Sequence, residues 1–136
     1  MLNPMLALMF WTLCVALYLL TLRIRAVRRG DASLGYFRLY TDTDKAPPTR
    51  AIAASRHYDN LFQVPVLFYL ACVTALALGL PGAPVLAWAF VVLRLIHGFI
   101  HMGYNNVRHR LVAFLAGNLV LLGIWVLIAL QVSSRG

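Results

Sequence analysis

Apolar residues fill four long runs of the chain, and polar residues gather between them. None of the runs shows the two-residue alternation of a half-buried strand. Each is long enough for a helix of about 20 residues, which at about 1.5 Å per residue crosses a hydrocarbon layer of about 30 Å. The pattern predicts helices over about 4–22, 49–80, 84–108 and 111–132. Asn3 is placed to cap the first, with Pro4 at its first turn, and Thr49 after Pro47 and Pro48 is placed to cap the second. Pro65 falls inside the second run and predicts a bend beside Gln63, because proline removes one hydrogen bond of the ladder. The PGAP at 81–84 reads as a tight turn. The connections joining the last three helices are short, so the expected fold class is all-α: an integral membrane antiparallel four-helix bundle, with residues 1–136 as one four-span domain.

Polar side chains interrupt this pattern in two places. On the third run, Arg94, His97, His101, Asn105 and Arg108 recur at steps of three and four and predict a polar stripe down one helix face. Arg94 lies about 20 Å from the basic end of that helix, near mid-bilayer. A charge at that depth has to face protein or water. On the second run, Arg56, Asn60 and Gln63 follow similar spacing, with Asp59 beside them, and Gln63 lies about as deep as Arg94. An Arg94–Gln63 pairing across antiparallel helices is therefore expected. Asp59 either reaches inward or pairs with Arg56. Asn118 is the clearly polar side chain early in the fourth run, where Gly117 and Gly123 are expected points of close approach.

Composition agrees with a membrane protein: 62% of the residues are hydrophobic and the mean hydropathy is +0.79. Lys and Arg number 12 against four acidic residues, all aspartate, for a net charge of +8. The basic residues flank apolar runs instead of forming a patch on a soluble fold, so nucleic acid is not an expected partner and the lipid bilayer is. Eight of them lie between Arg23 and Arg56, and Arg108 and Arg110 sit at the next connection on that side. Positive charge marks the cytoplasmic side, so both termini are expected outside. Tyr36, Phe37 and Tyr40 in the first connection are expected at the headgroup level. The N-terminal run lacks a basic start and a small-residue cleavage site, and reads as a retained span.

A basic mouth at the ends of the second and third helices favours an anionic ligand. Arginines in a water-poor cleft suit binding an anion or stabilising a thiolate. No activated serine or cysteine and no phosphate-cradling loop stands out. His97 and His101 share a face, but without a third acidic or cysteine ligand nearby in sequence no metal site is predicted. Cys14 and Cys72, both inside apolar runs, read as packing residues.

The stretches RHYDNLFQVPVLFY, Arg56 to Tyr69, and RLIHGFIHMGYNNVRHR, Arg94 to Arg110, together resemble the MAPEG superfamily, the membrane-associated proteins in eicosanoid and glutathione metabolism, particularly its bacterial members. The resemblance extends over about the whole chain through the four-span plan. It implies a homotrimer in a membrane, the bacterial inner membrane for such members, with glutathione bound between subunits near the cytoplasmic face. It also implies a small thiol or a hydrophobic electrophile as partner. Arg56 and Asn60 match an Arg-x-x-x-Asn-x-x-Glu pattern on helix two, with Gln63 standing where the acid belongs. Arg94 and His97 match an arginine and histidine of helix three, while His101 occupies a position where tyrosine is common. Arg110 matches the arginine proposed to stabilise the glutathione thiolate, so it is the catalytic candidate. The resemblance thus implies a ligand set of Arg56, Asn60, Gln63, Arg94, His97 and His101, and its two departures separate thiol binding from transferase turnover. Two other functions remain open: a noncatalytic membrane protein whose polar stripe cements helices, and a small transporter, which the lack of glutamate disfavours.

Overall fold

Short local signals set where each helix stops, and in several places they override the apolar pattern. The structure, a computed structural model, describes residues 1–39 and 47–135. Its helices are α1 (Leu2–Arg28), α2 (Leu34–Leu39), α3 (Thr49–Leu61), α4 (Val64–Ala77), α5 (Pro84–Met102) and α6 (Val107–Ser133). α3 and α4 act as one interrupted span, giving four helical segments long and apolar enough to cross a membrane. The protein is an all-α, four-span membrane protein, and among the described residues there is no strand. Tyr40, expected at the headgroup level, lies outside the described residues.

The first span runs on to Arg28 instead of stopping at Leu22. Arginine is a good helix former, and its long stem lets the head reach water, so charge alone does not end a helix. Gly30 does end it: at φ +74° it lets its own N–H bond the Val27 carbonyl at 3.0 Å and the Asp31 N–H bond the Ala26 carbonyl at 2.9 Å, a Schellman closure. Gly79, at φ +59°, closes α4 the same way through Leu76 and Ala75, which is why that helix stops at Ala77 and not Leu80. Neither expected cap forms. α1 begins at Leu2 with Met1 at the cap position, and Pro48 precedes α3 so that Thr49 is already helical; neither end has a side-chain cap bond.

The bend foreseen at Pro65 is a full break. Phe62 and Gln63 bond back to Asp59 and Asn60 in tightened turns, and α4 restarts at Val64 with Pro65 in its first turn. Proline has no N–H to bond Leu61, and its ring crowds that carbonyl. The third span also ends early, at Met102 rather than Arg108. Asn105 adopts φ +51°, its N–H bonding the Ile100 carbonyl at 2.8 Å, and Asn106 caps α6 by accepting from the Arg108 and His109 N–H groups at 3.0 and 3.3 Å. Asn105 and Arg108 therefore leave the stripe, which keeps Arg94, His97 and His101 on one buried face of α5.

The core at the end away from the basic connections is apolar, built on Phe68 of α4 and Phe90 of α5, whose rings stack at 4.6 Å, with Leu8, Leu121, Ile124 and Ile128 around them. α6 fastens the α4–α5 turn at this end. The Gln131 amide donates to the Gly82 carbonyl at 2.9 Å and accepts from its N–H at 3.0 Å, while Arg135 donates to the carbonyls of Leu78 and Gly79 at 2.8 and 2.7 Å. A cation on those carbonyls also suits the negative end of the α4 dipole. This clamp fixes α6 against α5, and so fixes what their opposite ends place together.

Candidate functional site

Arg94 is almost wholly enclosed, and its partner is not Gln63. Its Nη2 donates to the Asn118 Oδ1 on α6 at 3.1 Å, and its guanidinium lies against the rings of Phe90 and Phe114, 5.0 and 5.2 Å from their centroids. Gly117 lies beneath it, and a Cβ there would meet Arg94 Nε at 3.7 Å, an ordinary van der Waals contact. Gln63 is exposed, because the break between α3 and α4 turns it off the inner face, and among the described residues its side chain makes no hydrogen bond. Matched depth was a sound inference, but depth does not fix the direction in which a side chain points.

A cleft of about 240 Å³ opens beside this pair, lined by Asn60 of α3, His97 and His101 of α5, and Val107, Arg110, Leu111 and Phe114 at the start of α6. Four residues singled out from sequence, Asn60, His97, His101 and Arg110, thus meet at one place. The turn at 103–106 makes this possible by folding α6 back on α5. His97 Nδ1 lies 3.1 Å from the Arg110 carbonyl, and since a carbonyl only accepts, the ring nitrogen donates. Arg110 Nη1 donates to Asn105 Oδ1 at 3.0 Å, so the left-handed asparagine steadies the guanidinium at the cleft wall.

The other singled-out residues lie elsewhere. Arg56 is exposed and lines a separate cavity of about 510 Å³ between α1, α2 and α3, together with Arg23, Ser55 and Asp59. Arg23 donates to Ser55 Oγ at 3.2 Å there and lies over the Phe37 ring. Arg94 stays behind Phe114 and His97, outside the lining of the cleft.

One residue of the site was missed in sequence. His57 of α3 is almost fully buried and forms a triangle of imidazoles with His97 and His101, its ring centroid 5.9 and 5.6 Å from theirs and theirs 5.8 Å apart. Its signal was the run of small or apolar residues at Ala53, Ala54 and Leu61, which share its inward face of α3. Gly98 provides the room, since a Cβ there would stand 2.7 Å from His57 Nε2. Among the described residues, both ring nitrogens of His57, His97 Nε2 and His101 Nδ1 are buried without a hydrogen-bond partner, as is Trp11 Nε1 nearby. Among the described residues no three of His, Cys, Asp and Glu are grouped as metal ligands.

Comparison with known proteins bears on the whole chain. No curated protein and no solved structure matches it. The sequence pattern of the MAPEG family does, over residues 1–130, which takes in the first three spans, the fourth up to its last turn and every residue of the cleft. With that extent of match, and four membrane-length helices in the structure, the chain belongs to the MAPEG family.

Proposed function

We propose that the cleft at the α5–α6 turn binds glutathione or a related low-molecular-weight thiol, and that binding is more firmly built into it than turnover. The observation that carries this reading is the convergence of Asn60, His97, His101 and Arg110 from three helices on one opening at the basic end of the bundle. Arg110 supplies a fixed positive charge for a carboxylate or a thiolate, and the asparagine and imidazoles supply neutral hydrogen-bonding groups. Membership of a family linked to glutathione metabolism agrees with this ligand class.

The cleft is small. At about 240 Å³ it falls below the range of about 300–1,000 Å³ common for ligand sites. A second copy of the chain completes it in this proposal, and a homotrimer is the expected assembly. Arg56 and Gln63, exposed on the same span, are placed to contribute from a subunit surface. Gln63 in place of an acid offers an amide that accepts a hydrogen bond without neutralising a ligand's ammonium group, which weakens one contact. The basic connections, and with them the mouth of the cleft, face the cytoplasm in this reading. Cysteines introduced at Ser33 and Ser134 should then label from opposite sides of the membrane, the first from the cytoplasm, and labelling of both from the same side would overturn this topology.

The test is calorimetry of the purified, detergent-solubilised complex with glutathione, followed by conjugation assays over a panel of electrophiles. Saturable binding by a complex of three chains, with slow or no conjugation, is the expected result. Absence of binding removes the thiol site, and brisk conjugation shows that Gln63 and His101 do not impair catalysis. A monomer that binds glutathione with undiminished affinity rules out an intersubunit pocket. One observation favours a purely structural role for part of the stripe: the Arg94–Asn118 pair is shut away from the cleft. That role accommodates Arg94 without changing the reading of the residues that line the opening.

A further inference from the structure

Three imidazoles buried together within a membrane protein are costly unless their nitrogens find partners. Three neutral rings carry three N–H donors and three lone pairs, and here two donors are used, by His97 Nδ1 on the Arg110 carbonyl and by His101 on the Ala53 carbonyl, which leaves one N–H for three lone pairs. With Nδ1 protonated, the neutral ring leaves Nε2 as a bare acceptor, buried and without a donor. His57 adds two more unpartnered nitrogens and His101 one. The rings are all within 5.9 Å of one another, near enough for a small side-chain rotation or one bridging water to join them. Two of them, His97 and His101, also line the cleft. The set is therefore short of hydrogens, and it adjoins a site suited to a ligand that has one to give.

We propose that His57, His97 and His101 act as a shared proton acceptor for a thiol bound in the cleft. The inference rests on the thiol-binding reading above and assigns the destination of the proton. In the step, the S–H bond breaks, its electron pair stays on sulfur, and an N–H bond forms on an imidazole lining the cleft. His57, behind the other two, takes a share of that proton through its own free nitrogens. The products are a thiolate, which Arg110 faces, and an imidazolium. The Arg110 carbonyl already accepts from His97 Nδ1 and stabilises that ring further when it is charged. The summed charge of the site is unchanged by the transfer, so the new cation gains the thiolate as counter-ion in the same step.

The charged groups acting on the triad are Arg94 from α5, Arg110 from α6 and Arg56 from α3, while α1 contributes the uncharged indole of Trp11. All three are cations, so none of them can serve as counter-ion to an imidazolium, whereas a thiolate in the cleft can. Proton uptake is thereby tied to thiolate formation. His57 is a positioning and proton-sharing residue rather than a ligand contact, and Gly98 is what admits it to the group.

The experiment counts protons and thiolates on the full assembled protein. Calorimetry of glutathione binding in two buffers of different ionisation enthalpy gives the protons released per ligand, and ultraviolet difference absorbance gives the thiolates formed. S-methylglutathione, which has no thiol proton, sets the baseline. The wild type should release clearly fewer protons to the buffer than it forms thiolates. His57→Phe should restore release toward parity while glutathione still binds. His57→Gln, which keeps a polar end, carries the same comparison if the phenylalanine variant does not assemble. Parity in the wild type, a shortfall unchanged in the His57 variants, or binding without any thiolate each overturns the shared acceptor and leaves the thiol site standing. Failure of glutathione to bind overturns both.

Discussion

Asn118→Leu is expected to destabilise the assembled protein by about 3–5 kcal/mol, the range for leaving one member of a buried pair charged and unpartnered. Leucine keeps the branching of asparagine and is larger, so no cavity forms and the loss of the acceptor is the main term. Arg94 Nη2 loses its acceptor at 3.1 Å, and Nε already lacks one. What remains is the pair of rings, Phe90 and Phe114, and cation–π contacts of this kind are worth about 0.5–2 kcal/mol. Arg94→Met in the same background should recover much of the loss, because it removes the charge together with the need for a partner. A double-mutant cycle on thermal or denaturant unfolding in detergent reads this directly, and the coupling between the two positions should be large. Additive effects would show that Arg94 draws its stabilisation from another group.

This pair also shows what the sequence does and does not disclose. Four spans were legible because apolar runs of that length have few other uses, and burial of Arg94 was legible because no isolated arginine is stable at that depth. The choice of Asn118 over Gln63 was not legible. It depends on the α3–α4 break, where the missing N–H of Pro65 turns Gln63 outward, and on the packing of α6 against α5, which brings Asn118 to the guanidinium. Helix ends were misjudged where charge was read as a stop signal. Arg23, Arg25 and Arg28 continue α1, whereas the glycines at positive φ close α1 and α4.

The cleft was legible in part for a similar reason. His97 and His101 share the face of α5 that the spacing implied, and Arg110 joins them only because Gly103 to Asn106 form a turn where a continuous helix was expected. In a single helix running to residue 108, Arg110 would have been carried away from the histidines. His57 escaped notice because it interrupts no stripe of polar residues. It stands on the small-residue face of α3, where a reader of hydrophobic patterns expects only packing.

Arg110→Leu is expected to weaken glutathione binding about 10- to 100-fold while leaving unfolding almost unchanged, a combination that separates a site residue from a structural one. The affinity loss follows from removing one charge-assisted contact, worth about 1.5–3 kcal/mol. Stability is spared because, among the described residues, the guanidinium bonds to Asn105 alone, at an exposed turn, whereas the Arg110 backbone carbonyl, which helps tie α5 to α6 by accepting from His97, survives any side-chain change. Arg110→Lys should recover part of the affinity, since an ammonium keeps the charge but not the planar fork that grips a carboxylate or lies along a thiolate. Titration calorimetry and thermal unfolding on the same preparations give both numbers. Unchanged affinity in Arg110→Leu would place the anion elsewhere, with the Arg23 and Arg56 cavity as the next position to test; a large loss of stability would mean that Arg110, like Arg94, holds helices together.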